Sequence, residues 1–185
     1  MRIARIIVAG VLVALAAISP AEAQEQRTVG ITMGYPASIG VLWRVSETLA
    51  IRPELSFAGG DSDASGTSFV SETNGWALGT GVSALFYLHK YDSLRTYVVP
   101  RFTYSRTSNT STSSSFTNSE TTTTSTNTGL SGSFGSQYSL GDRFGVFGEV
   151  GFGFNHSSGK SSTSPVKVSG NNWSTRTGVG VIFFP

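Results

Sequence analysis

The sequence predicts an all-β protein, eight antiparallel strands closed up-and-down into a transmembrane β-barrel. Three observations carry this. From Thr28 to the C-terminus, large apolar residues alternate with small or polar ones, and successive strand side chains point to opposite faces. The chain has 22 glycines and only 13% charged residues, whereas a soluble domain has about 7% glycine and about 25% charge. Within the strands, glycine gathers on the polar side, where it leaves room inside a narrow closed sheet.

The alternation can be followed strand by strand. The first strand sets Val29, Ile31, Met33 and Tyr35 against Thr28, Gly30, Thr32 and Gly34. The second sets Ile39, Val41, Trp43 and Val45 against Ser38, Gly40, Leu42 and Arg44. The third runs over 49–58 with Ile51, Leu55 and Phe57 apolar and Arg52 and Glu54 on the other face. The fourth (75–88) opposes Trp76, Leu78, Val82 and Phe86 to Gly75, Gly79, Gly81 and Ser83. The fifth (98–105) opposes Val98, Phe102 and Tyr104 to Arg101, Thr103 and Ser105. The sixth (130–138) opposes Leu130, Phe134 and Tyr138 to Ser131, Ser133 and Gln137. The seventh (144–154) opposes Phe144, Val146, Val150, Phe152 and Phe154 to Glu149 and three glycines. The eighth (173–183) opposes Trp173, Val179, Val181 and Phe183 to Ser174, Arg176, Gly178 and Gly180. An even number of strands closes antiparallel and leaves no exposed edge.

The direction each face points decides between two classes. In a secreted lipocalin-like barrel the large residues would fill the interior. In a membrane barrel they face lipid and the charges face the lumen. The second reading is favoured by aromatics near the ends of the apolar faces: Tyr35, Trp43, Trp76, Phe86, Tyr104, Tyr138, Phe144, Phe154, Trp173 and Phe183. These form the expected interfacial girdle.

Residues 1–23 read as a cleaved secretory signal peptide. Arg2 and Arg5 precede an apolar run over Ile6–Ile18, Pro20 breaks it, and Ala21-Glu22-Ala23 gives the small-x-small pattern. The run is short of the ~20 residues of a spanning helix. The mature chain, 24–185, keeps eleven basic and ten acidic residues once Arg2, Arg5 and Glu22 are removed. With so little net charge, nucleic acid is not an expected partner. Absence of cysteine excludes disulfides and thiolate chemistry.

Connection lengths orient the barrel. Ser46–Thr48, His89–Leu94 and Leu140–Arg143 are short and expected in the periplasm. Gly59–Thr73, Ser108–Asn127 and Ser157–Gly170 are longer and expected outside. The first outer connection, Pro36-Ala37, is so short that its hairpin should sit low on the outer rim, unless residues 28–45 pair in another register.

With its signal peptide, eight alternating segments and closing Thr177-Gly178-Val179-Gly180-Val181-Ile182-Phe183-Phe184, the chain resembles the small outer-membrane β-barrels of Gram-negative bacteria, the OmpA/OmpX-like and porin-family group. The resemblance covers nearly all of 24–185. It implies Sec-type export, residence in the cell outer membrane among lipopolysaccharide, and insertion by the barrel assembly machinery. Pro185 follows Phe184, and the alternation is in phase with Phe183, a departure from that group's terminal signal.

Four constellations are candidates for function. Arg44, Arg52, Glu54, Arg101, Glu149 and Arg176 share the inward face and would form a lumen charge network with an excess of positive charge, since charges there must pair or reach water. Asp61, Asp63, Ser65, Gly66 and Glu72 match calcium-loop spacing, although Phe69 stands where an oxygen ligand is usual. No other cofactor is expected. His156 and Ser158 have the spacing of a barrel lipid deacylase, but no acid follows Glu149 to orient the histidine. Finally, 108–127 is almost entirely Ser, Thr and Asn, an outward strand extension with a solvated tip that offers an edge to a surface partner. The expected function is thus non-enzymatic, a structural or surface-interaction barrel plugged by its lumen charges. A narrow channel gated by those Arg and Glu residues is the alternative, and a lipid-modifying enzyme is the second.

Overall fold

The computed structural model describes residues 28–35, 38–66, 69–114 and 118–185. The signal segment and the Pro36-Ala37 tip lie outside them. Eight strands follow in order: β1 Val29–Tyr35, β2 Ser38–Arg44, β3 Leu49–Gly66, β4 Phe69–Tyr91, β5 Leu94–Ser114, β6 Asn118–Ser139, β7 Phe144–Ser161 and β8 Ser164–Phe183. Each pairs antiparallel with its neighbour, and β1 with β8, to close the ring. The first hairpin has the simple register, Val29 opposite Trp43 and Gly34 opposite Ser38.

The predicted faces are the observed ones. Met33, Leu55, Val82, Phe102, Phe134, Val150 and Val181 point outward and are exposed. In water such a surface would be untenable, because it is far larger than the apolar patches soluble monomers carry. It is a hydrocarbon-facing belt. The girdle aromatics are on this outer face. Two of its pairs stand directly opposite in register on β7 and β8, Phe144 with Phe183 and Phe154 with Trp173, each with ring centroids 5.1 Å apart. That stacking is why Phe154 and Phe183 are only half-exposed. Phe184 turns the other way, into the lumen, where it is buried.

The structure departs from the sequence reading in two outer connections, Gly59–Thr73 and Ser157–Gly170, and over its described residues the third, Ser108–Asn127, is the outward strand extension expected there. All three are mostly strand among the described residues, so six strands run on past the apolar belt as paired ribbons. The apolar contrast that reveals a strand in sequence is missing there. Threonine favours the extended backbone, and opposed hydroxyls join across the ladder, as in Thr73 with Ser111 and Thr110 with Thr122, both at 3.1 Å. At the other end the turns are short. In one, Asp92 takes a left-handed conformation, φ 39°, which aspartate tolerates.

Candidate functional site

The inward face builds the site in layers. At the short-turn end Leu42, Ala50, Leu85, Tyr97, Val99, Ile182 and Phe184 are buried together, with Tyr87 and Phe147 packed against them. Glycine on neighbouring strands makes room for these rings. A Cβ on Gly135 would lie 2.5 Å from the Tyr97 ring, and one on Gly180 would lie 2.6 Å from Phe147. Gly135→Ala is therefore expected to destabilise the barrel by about 1–3 kcal/mol through overpacking. Urea unfolding in lipid vesicles would check this.

The charges sit on this apolar floor. Arg52, 1% exposed, donates from Nη2 to Glu149 Oε1 at 2.7 Å, and its Nε lies 3.3 Å from Glu54 Oε1. Arg101 reaches Glu54 Oε2 at 2.5 Å. Tyr97 donates its hydroxyl to Glu149 Oε1 at 3.1 Å. The Arg52 guanidinium stacks over Phe147, 4.9 Å from the ring centroid. Two cations and two anions thus balance, as a dehydrated cluster requires.

Of the six residues expected in the network, the structure brings together these four. Arg44 lies lower, over the Phe184 ring at 4.8 Å. Arg176 lies apart, lining a cavity above the network. The expected positive excess inside a single cluster is therefore corrected to a neutral quartet with two arginines outside it. Sequence reasoning missed Tyr97, Tyr87, Phe147 and Gln137 as members of the site, although each is a large residue at an inward position near the short-turn end, and that was the available signal. Tyr87 donates to Gln137 Oε1 at 3.3 Å and meets Tyr97 edge-on.

The residues with calcium-loop spacing are held in a strand ladder. Asp61, Asp63 and Ser65 lie on β3 and Glu72 on β4, all exposed, with Asp63 directly opposite Glu72 in a flat ladder. A cation loop must wrap its ligands around one point, whereas these strands hold theirs extended. No group of three or more His, Cys, Asp or Glu residues is placed to hold a metal ion among the described residues. His156 also faces outward, and its Nδ1 is 2.6 Å from the Asn171 side-chain oxygen. An amide rather than a carboxylate orients the ring.

The arrangement defines a class: an eight-stranded transmembrane barrel with an apolar belt, a salt-bridged lumen and outward ribbons. This is the fold of the small outer-membrane β-barrels. A major outer membrane protein from Thermus thermophilus superposes with a TM-score of 0.56 at 13% identity, covering 84% of this chain and 97% of that one. CarO of Acinetobacter baumannii matches at TM-score 0.45 and 14% identity over 89% of this chain and 100% of that one. Neisserial surface protein A matches at 0.45 and 14% over 85% and 92%. No protein-family model and no curated protein matches the chain.

Proposed function

We propose that this protein resides in the outer membrane as a non-conducting barrel that acts from its surface, without an enzymatic reaction. The observation that carries the proposal is the Arg52 bridge. One guanidinium joins β3 to Glu149 on β7, across the ring, directly above the ring-filled apolar floor. An eight-stranded lumen has little more than side-chain space, and here that space is spanned by a paired, dehydrated cluster. The ribbon of β5 and β6 over 108–127 is the element that would meet a partner, alongside lipopolysaccharide around the belt. The barrel assembly machinery would be met only during insertion.

Planar-bilayer recording of the refolded protein, verified by heat-modifiable gel migration, tests the plug. The expected result is a folded barrel with no conductance steps. Stable steps that vanish when Arg101 is neutralised would replace this proposal with a narrow channel that uses the quartet as its filter.

A further inference from the structure

The β1–β2 hairpin is too short for the membrane that the other six strands cross. Each of its strands has seven residues, against 18 to 23 in the rest. At ~3.3 Å per residue and a tilt near 45°, seven residues climb roughly 16 Å of an apolar belt about 25 Å tall. Among the described residues the wall above the hairpin is therefore open. Among the described residues β8 pairs with β1 only from Val179 to Phe183, and β2 meets β3 only up to Leu55. From Gly178 outward on β8, and from Ser56 outward on β3, each strand has one neighbour among the described residues where it should have two. Where the hairpin is paired, three strand spacings, about 14 Å along the curved wall, separate β8 from β3.

Two independent features converge on this notch. The first is a cavity of about 300 Å³ in the upper lumen, the lower end of the size range of small-molecule sites. Thr103, Ser131 and Asn155 line its far side, and Tyr35, Thr175 and Arg176 line it at the notch. No described acid forms an ion pair with Arg176. The second is the exposure of aromatics on the three strands that border the opening. Trp173 on β8, Tyr35 at the hairpin end and Phe57 on β3 are 78%, 73% and 73% exposed, more than any other large aromatic among the described residues.

We propose that this notch is a lateral binding site for an acylated, anionic amphiphile of the outer leaflet. Bare sheet edges are not tolerated in hydrocarbon, so whatever fills the notch must bring polar atoms to bilayer depth. An anionic head supplies acceptor oxygens for Arg176 and for the unpaired N–H groups of β8. Its acyl chain then leaves through the opening across Tyr35, Phe57 and Trp173 into the leaflet. The site lies above the Arg52 quartet and does not depend on whether that quartet blocks ions.

Native mass spectrometry of the refolded protein, exposed to equal amounts of phosphatidylglycerol and phosphatidylcholine, tests it. The expected result is one phosphatidylglycerol retained per barrel in preference to phosphatidylcholine. Arg176→Gln should lower that retention about tenfold, the effect of losing one charged hydrogen-bond partner. Inserting an even number of residues on each side of the hairpin tip keeps every side chain on its face. It should abolish retention by walling the notch. Should the longer hairpin fail to fold, Tyr35→Ser with Phe57→Ser should weaken retention with the hairpin unchanged. Equal retention of the two lipids, full retention by Arg176→Gln, or displacement of the lipid by inorganic phosphate alone would overturn the proposal. So would barrels joined edge to edge as dimers with no lipid bound.

Discussion

Arg52→Met should be among the most damaging single changes in the lumen, at about 3–5 kcal/mol, the range for breaking a buried ion pair by removing one partner. Glu54 would keep Arg101, but Glu149 would be left with only the Tyr97 hydroxyl. A carboxylate so placed is a buried, uncompensated charge. Adding Glu149→Gln should recover most of the loss, because the cluster is then neutral again, with one cation and one anion. The two substitutions are thus expected to be strongly non-additive. Urea midpoints measured in vesicles for the two single variants and the double variant would show this. A single Arg52→Met variant within about 0.5 kcal/mol of the parent, the ordinary range for a surface change, would mean that water reaches the quartet.

The second large effect is expected at Val150, on the outer face of β7 beside the inward Glu149. Val150→Arg should cost about 2–4 kcal/mol, the measured scale for a cation facing lipid near the bilayer midplane. Ser131→Asp places a charge at an inward position that lines the upper cavity, and should be tolerated to within about 1 kcal/mol. The pair tests the face assignment, because an inside-out barrel would reverse the order. Refolding yield and heat-modifiable migration in vesicles give the comparison. In detergent the penalty at Val150 should shrink, since a micelle thins around a charge more readily than a bilayer.

Legibility in the sequence followed the strength of the side-chain contrast. Between Trp76 and Leu88, or Phe144 and Phe154, large residues alternate with glycine, serine or charge, and both strands and both faces could be assigned. Between Asn109 and Ser114, and between Asn118 and Asn127, every residue is polar, so the ladder that the structure forms there had no signature beyond threonine content. The lumen site was half legible. Arg52, Glu54, Arg101 and Glu149 stood at inward positions, but so did Arg44 and Arg176, and inward position alone could not separate them. Tyr97 and Phe147 were hidden by their outward neighbours Val98 and Val146, which gave their strands the expected pattern without them.

Strand number, the two faces of each strand and the belt that meets lipid were all readable along the chain, because period-two alternation is local and shows in adjacent residues. The Pro36-Ala37 connection also marked the first hairpin as short. Which inward residues meet depends on how the ring closes. Arg52 and Glu149 are 97 positions apart, and they touch because closure of the ring with its strands staggered sets their heights and turns them across the lumen toward each other. The same closure makes a short hairpin into an opening, since a gap in the wall exists only once β3 and β8 stand on either side of it.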